Sequence, residues 1–261
     1  MSRPRMPVVF FGHGSPMNTL ERNAYTEAWR KIGEAIPAPK AIVCVSAHWY
    51  TEGTAVTAMN RPRTIHDFYG FPQSLFDVQY PAPGKPELAR RVRELLAPVD
   101  VALDDSWGLD HGTWSVLKHV YPQADIPVVQ LSIDGTQPPQ HHYETARRLA
   151  PLRDEGILVA GSGNVVHNLR LMRPGAQAFD WAVRFNESIR GALAARDHAT
   201  LIGFEKLGAD ARLSVPTPEH YLPLLYIAGL QREDESMTFP VDGYDLGSVS
   251  MLSAAAGLPA A

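Results

Sequence analysis

The sequence predicts an α/β protein in which helices surround a central sheet. Short apolar runs alternate along the chain with longer stretches in which apolar residues recur at helical spacing. A length of 261 residues, with 45% hydrophobic and 20% charged side chains, is typical of a globular protein with a sizeable core. No internal repeat, low-complexity segment or long linker divides the chain, so we expect one domain over residues 1–261. An eight-fold α/β barrel is disfavoured, because only about six strand–helix units are found.

The first half of the chain begins with a buried, β-branched and aromatic run at residues 7–11, which predicts a strand. Helical spacing follows at residues 20–36, where Asn18 and Thr19 are the predicted caps. Further apolar runs predict strands at residues 41–47, 54–58 and 101–103. Pro86 opens a predicted helix whose apolar face runs from Leu88 to Leu96.

The second half continues the alternation. Predicted helices lie at residues 113–121, 138–149, 179–195 and 217–229, and predicted strands lie at residues 127–133 and 157–160. Gly161, Ser162 and Gly163 lack the lysine of a phosphate loop and the third glycine of a dinucleotide fingerprint, so they predict a tight turn and no nucleotide or flavin. Residues 237–252 are predicted to be extended.

A loop at residues 61–84 interrupts the alternation and is rich in proline and aromatic residues. Loops of this length are usually functional or disordered. Its aromatic content favours an ordered loop that covers a site, and Phe68, Tyr69 and Phe71 are the candidates to contact a ligand there.

Composition excludes several classes of protein. The 24 basic and 28 acidic side chains give a net charge of −4, which disfavours binding of nucleic acid through phosphate neutralisation. The single cysteine, Cys44, excludes an internal disulfide framework and suits a reducing compartment. No apolar run is long enough for a signal peptide or a membrane helix. We therefore expect a cytoplasmic protein without a membrane or nucleic-acid partner, and its oligomeric state stays open.

Three of the ten histidines follow predicted strands, at the sheet edge where open α/β proteins bind ligands. His13 lies in FFGHGSPM, His48 in SAHWY and His167 in GSGNVVHNL. His111, in LDHGTW, precedes a predicted helix, and His220, in TPEHYLPLLY, lies near the start of the last one. Neutral imidazole is the commonest ligand of Zn²⁺ and suits Fe(II) as well. The sequence therefore indicates one divalent metal ion held by distant segments.

Six motifs in this order, GHGSPM, SAHW, IHDFYGFP, DHGTW, SGNVVHNL and PTPEHYLPLLY, closely resemble the LigB-like class III extradiol ring-cleavage dioxygenases. The chain is most similar to the 4,5-DOPA extradiol dioxygenase-like subgroup, over about residues 6–252. The resemblance implies a LigB-like, phosphorylase-like three-layer α/β/α domain with a mixed, mostly parallel sheet. It also implies an enzyme that inserts both atoms of O₂ into a catechol, such as DOPA, to give a muconic semialdehyde.

The resemblance also implies roles for individual residues. His13, His48 and His220 match the metal ligands of the subgroup. His167 matches the histidine that acts as acid and base, which is sometimes described as a fourth ligand. His111 matches a histidine that faces the substrate or oxygen. Glu219 is adjacent to His220 but, on a helix, would point about 100° away.

Two other functions stay open at this point. Three histidines also form typical zinc sites, so the ion could be Fe(II) or Zn(II), and a zinc-dependent hydrolase is one alternative. A non-catalytic Memo-like binding protein on the same fold is the other. The partners expected for the dioxygenase are a small aromatic diol and O₂.

Overall fold

The computed structural model describes residues 5–258, so residues 1–4 and 259–261 of the predicted domain lie outside the described range. The strands are β1 Val8–Gly12, β2 Ala41–Thr51, β3 Thr54–Thr57, β4 Val101–Asp104, β5 Val128–Asp134, β6 Ile157–Gly163, β7 Met237–Val241, β8 Tyr244–Asp245, β9 Val249–Ser250 and β10 Ser253–Ala256. The α-helices are α1 Ala24–Ala35, α2 Gln73–Phe76, α3 Pro86–Leu96, α4 His111–Val120, α5 Pro139–Arg148, α6 Ala150–Asp154, α7 Asp180–Ala195, α8 His198–Ile202, α9 Ala209–Ser214 and α10 Leu222–Leu230. Short 3₁₀ turns lie at Pro16–Thr19, Leu169–Leu171 and Phe204–Leu207.

Eight strands form one mixed sheet in the order β4-β3-β5-β2-β6-β1-β10-β7. The four central strands, β5, β2, β6 and β1, run parallel, and β10 pairs antiparallel with both β1 and β7. On the other side β3 is antiparallel to β5 and parallel to β4. The predicted single α/β domain with a mixed, mostly parallel sheet is confirmed.

Successive side chains of the central strands face opposite sides of the sheet, as the two-residue period of a strand requires. Val8 and Phe10 of β1 share one core with residues of α3, α5, α7 and α10. Val9 and Phe11 share the other core with residues of α1 and α4. Both faces are thus covered by helices, which gives the three-layer arrangement.

Cys44 is buried in the second core, and burial raises the pKa of its thiol to about 12.

Several predicted boundaries near the site are wrong. The first helix begins at Ala24 because Asn23, not Asn18 or Thr19, accepts the backbone N–H groups of Tyr25 and Thr26. Strand β2 runs on to Thr51 through a shift in its pairing with β5, so it contains His48.

The predicted tight turn at Gly161, Ser162 and Gly163 is also wrong. These three residues are the last part of β6, paired with both β1 and β2. A Cβ at Gly163 would lie 2.1 Å from the carbonyl oxygen of His220, so glycine here allows the chain before α10 to lie against the strand.

The predicted extended tail at residues 237–252 contains β7 and a short hairpin of β8 and β9, and it is followed by a strand that was not predicted, β10. The segment with α8 and α9 was also not predicted. Within residues 5–258, no helix combines the length and the hydropathy needed to cross a membrane.

Candidate metal centre

One cavity of about 540 Å³ lies where β1, β2 and β6 end. That size is within the usual range for sites that bind small molecules. Its walls include all eight residues singled out from the sequence: His13, His48, His111, His167, His220, Phe68, Tyr69 and Phe71. The fold therefore brings together five histidines and three aromatic residues that the chain carries on separate segments.

The δ nitrogens of three of these histidines each face an oxygen outside the cavity centre. Nδ1 of His13 is 3.0 Å from the hydroxyl of Ser162, and Nδ1 of His220 is 3.2 Å from Oε1 of Glu219. The Ser162 hydroxyl donates its one proton to the carbonyl oxygen of Gly112, so it accepts from Nδ1 of His13. Nδ1 is then the protonated nitrogen of His13, and Nε2 carries the lone pair.

The third ring follows the same rule. Nδ1 of His48 is 3.0 Å from the Asp67 carboxylate, which can only accept. The ε nitrogens of His13 and His48 are 3.3 Å apart, and the buried ε nitrogen of His220 has no hydrogen-bond partner among the described residues. Ligand atoms of these three side chains all lie within 4.8 Å of one another. Converging lone pairs repel each other unless a cation lies between them, so this donor set fits a divalent metal ion.

Carboxylates behind the ligands increase the negative potential at the site. Burial alone would lower the pKa of His48, but Asp67, Asp110 and Glu219 outweigh it and raise the pKa. The same field favours a divalent cation.

The expectation that Glu219 points away from His220 is wrong, because residues 218–221 form a turn that precedes α10 and not a helix.

His167 and His111 lie beside the three converging rings. The ring of His167 stacks on that of His220, with centroids 3.4 Å apart and an angle of 10° between the planes. Burial, together with His48 and His111, lowers the pKa of His167 to about 3, so its imidazole is neutral at neutral pH and can accept a proton. The ring of His111 lies 3.8 Å from that of His48, and its Nδ1 is 3.0 Å from Asp67.

A buried polar cluster positions the start of α4 under the cavity. Asp110 caps the helix through the backbone N–H of Thr113, and the Ser46 hydroxyl donates to the same carboxylate at 2.7 Å. Gln130 also donates to Asp110. A Cβ at Gly112 would lie 2.5 Å from the hydroxyl oxygen of Ser46, so only glycine lets α4 approach β2 this closely. As the first residue of α4, His111 is fixed by this cap.

The aromatic residues of the long loop form one wall of the cavity. Phe68 is half-buried and packs edge-on against His111, with ring centroids 5.5 Å apart, and Phe71 packs against Phe68. Tyr69 also lines the cavity, but 92% of its surface is exposed, so it lies at the mouth.

Sequence reasoning missed the residues that orient the rings: Asp67, Asp110, Ser162 and Glu219. Asp67 lies beside the aromatic residues of the long loop, its carboxylate comes within 3.0 Å of both His48 and His111, and these contacts lower its pKa despite burial. Asp110 carried a usable signal, because aspartate is one of the preferred residues immediately before a helix.

Comparisons with known proteins identify the class. The family described as the catalytic LigB subunit of aromatic ring-opening dioxygenase matches residues 7–254. The chain belongs to this family and is a class III extradiol dioxygenase, which confirms the resemblance seen in the motifs. The zinc hydrolase and the Memo-like protein gain no support from these matches.

Individual relatives are also similar over nearly their whole length. A 4,5-DOPA dioxygenase extradiol from Escherichia coli (strain K12) is 54% identical over 98% of this chain and 97% of that protein. A 4,5-DOPA dioxygenase extradiol from Beta vulgaris is 37% identical over 92% of each chain. A crystal structure of an uncharacterized protein from Escherichia coli K12 superposes with a TM-score of 0.85 at 49% identity, over 96% of this chain and 99% of that one.

Proposed function

We propose that the protein cleaves the ring of a DOPA-like catechol beside its two hydroxyl groups and uses one divalent metal ion held by His13, His48 and His220. One observation carries the proposal: the ε nitrogens of these three histidines converge in the cavity, while their δ nitrogens are all committed elsewhere. When bound, Fe(II) supplies the redox chemistry that connects a catechol with O₂, which Zn(II) lacks.

The cavity orients the catechol by its two unlike sides. Phe68 and Phe71 offer apolar surface for the ring, and the five histidines supply the polar part of the cavity wall. The two hydroxyl groups would face the histidines, because these are the polar side. Contact between the ring and the aromatic residues would also exclude water from that face of the ring.

His167 would act as the acid and base of the reaction. Its neutral imidazole takes the proton of one catechol hydroxyl, since a neutral ring beside the ligands is in the basic form. It returns that proton as the ring opens to the muconic semialdehyde. Its stacking on His220 holds it close to the ligand set without requiring that it bind the ion itself.

His111 would hold the substrate or the incoming oxygen by a hydrogen bond. Its Nδ1 lies 3.0 Å from an oxygen of Asp67, and its other ring nitrogen would make this hydrogen bond. The backbone N–H of His111 donates to the same carboxylate at 2.9 Å, so Asp67 helps to fix the start of α4.

Reconstitution tests the function. Protein loaded anaerobically with Fe(II) should consume O₂ with DOPA or another catechol and form an absorbing ring-opened product, whereas protein loaded with Zn(II) should not. His167→Ala should lose turnover and keep its bound metal. Esterase activity of the zinc form without oxygen uptake by the iron form would favour a hydrolase.

We also propose a cytoplasmic location, which suits the single buried cysteine.

A further inference from the structure

The hairpin of β8 and β9 forms part of the cavity wall. Asp245, Leu246 and Val249 of this hairpin line the cavity with the histidines. His167 makes a backbone bridge with Val249, which itself pairs with Asp245. Val249 therefore connects Asp245 with His167 through backbone pairing on both sides.

The hairpin is held in place from several sides, so Asp245 occupies a defined position. The hydroxyl of Tyr25 donates to the carbonyl oxygen of Tyr244 at 3.1 Å. The backbone N–H groups of Arg173 and Phe179 donate to the carbonyl oxygens of Leu246 and Gly247, each at 2.9 Å. Gly247 has a φ of +76°, a conformation that favours glycine and closes the turn.

The charges of the cavity wall are unbalanced. Its two carboxylates are Asp67 and Asp245, and the residues described as lining it include no lysine or arginine. Asp67 is occupied by His48 and His111. Within residues 5–258, the Asp245 carboxylate has no salt bridge at 4.0 Å or less and no side-chain hydrogen bond. Arg173, whose backbone contacts the hairpin, directs its guanidinium onto the ring of Phe179, at 5.6 Å.

A half-buried carboxylate without a counter-charge is unfavourable, and burial together with Glu21 raises the pKa of Asp245, although the backbone N–H of Leu246 lowers it in part. A ligand that brings a positive charge to the Asp245 carboxylate would remove that cost. A ligand that brings a negative charge would meet no compensating cation there.

We propose that Asp245 binds the ammonium group of the catechol's side chain, so that the site selects catechols carrying an amine and recognises no side-chain carboxylate. This inference rests on the proposed function and deepens it. DOPA carries both groups, and only its ammonium group would be recognised. An amine without the carboxylate should bind at least as well, and a catechol acid without the amine should bind poorly.

Binding to the zinc-loaded protein without oxygen tests this directly, because no turnover interferes. We would measure calorimetrically the affinities for dopamine, which has only the amine, for 3-(3,4-dihydroxyphenyl)propionate, which has only the carboxylate, and for uncharged 4-ethylcatechol. In the wild type, dopamine should bind roughly 10-fold more tightly than 4-ethylcatechol, as expected for a hydrogen bond to a charged group. The propionate should bind more weakly than either.

The variants assign the preference to one side chain. Asp245→Asn should reduce the dopamine to 4-ethylcatechol affinity ratio by roughly 10-fold, and Asp245→Lys should shift the preference toward the propionate. The matched control is Asp242→Asn, an exposed carboxylate in the same segment that does not line the cavity, which should keep the ratio. Because two different substitutions of Asp245 are compared, a folding defect in one of them does not decide the outcome. Melting temperatures identify such a defect.

The outcomes separate this inference from the proposed function. If 4-ethylcatechol binds but dopamine shows no advantage, or if Asp245→Asn keeps the advantage, the amine subsite is refuted and the dioxygenase proposal stands. If none of the three catechols binds the zinc-loaded wild type, the catechol proposal fails and the subsite fails with it.

Discussion

Two buried polar clusters lie at opposite ends of the parallel strands, and they differ in how completely their polar atoms are paired. At the N-terminal end, the fully buried Arg153 donates to the carbonyl oxygens of Met6 and Leu230, at 2.8 and 2.7 Å, and to the Glu235 carboxylate. At the C-terminal end, the buried ε nitrogen of His220 has no partner among the described residues.

The contrast separates what holds the fold from what performs the chemistry. Arg153 joins the start of β1, the end of α10 and the chain after it, so its pairing stabilises the folded chain. Buried polar atoms are normally paired, and those that are not require an explanation. Around the histidines, we explain the unpaired ε nitrogens by a metal ion. The paired δ nitrogens orient the rings so that the ε nitrogens can bind it.

The largest expected effect comes from removing a ligand. His13→Ala should lower metal affinity by more than about 100-fold and abolish turnover, because two imidazoles cannot hold the ion as three do. Metal content after anaerobic loading and dialysis, measured by elemental analysis, checks this. His119→Ala, which removes a histidine outside the cavity, is the control. Unchanged metal stoichiometry in His13→Ala would refute its role as a ligand.

The opposite cluster should respond in stability and not in metal binding. Arg153→Met leaves the Glu235 carboxylate without its buried partner, so we expect the free energy of unfolding to fall by about 3–5 kcal/mol. Urea unfolding of the metal-free protein measures this. Folded Arg153→Met should still bind one metal ion with near wild-type affinity, and a large loss of affinity would show that the two clusters are coupled.

His142, a third buried polar group, lies outside the cavity, and it tests how an imidazole with an unpaired nitrogen affects the free energy of unfolding. His142 is fully buried with Nδ1 3.2 Å from the Tyr226 hydroxyl, and burial lowers its pKa to about 4, from an unperturbed 6.5. Between these two values the unfolded chain binds more protons than the folded one, so stability falls as pH falls from 6.5 to 4. The loss from this group amounts to about 3 kcal/mol.

His142→Gln should therefore flatten the dependence of unfolding free energy on pH over that window. A half-buried histidine elsewhere in the chain, changed in His66→Gln, is the control for loss of an imidazole. An unchanged slope in His142→Gln would assign the acid sensitivity elsewhere, with the histidines of the cavity as the next candidates.

The smallest effect concerns the orientation of one ring. Ser162→Ala removes the acceptor for Nδ1 of His13, so the nitrogen that faces the cavity is no longer fixed as unprotonated. We expect metal affinity to fall by about 10- to 100-fold, as is typical of groups behind a ligand. Long-range ¹⁵N–¹H NMR of metal-free protein should show Nδ1–H for His13 in the wild type and a mixture in the variant. Ser132→Ala, another fully buried strand serine, is the control and should alter neither readout.

The sequence predicted the alternation of strands and helices well, because buried strands such as residues 7–11 are continuous apolar runs that end at a glycine. It failed where tertiary contacts decide. The run Gly161, Ser162 and Gly163 looks like a turn, but β1 and β2 pair on both sides of it and keep it extended. Strand β10 escaped notice because its residues, Ser253–Ala256, are small and carry little strand signal.

The candidate site shows the same division. The histidines that line the cavity were singled out from strand ends and motifs, and their roles as ligands and as acid and base stay predictions. The groups that orient them were not found, because Asp67 and Glu219 act through contacts between segments distant in sequence or through a turn misread as a helix. Pairwise geometry of this kind leaves no period in a single sequence.

Anomalous diffraction at the iron edge, from crystals loaded anaerobically with Fe(II), would locate the metal ion in the cavity. We expect one strong peak per chain at bonding distance from Nε2 of His13, His48 and His220. Two other sets of side chains in the cavity have ligand atoms equally close together, namely His48, Asp67 and His111, and His167, Glu219 and His220. A peak centred on either of those sets, or no peak in the cavity, would show that His13, His48 and His220 are not the metal ligands.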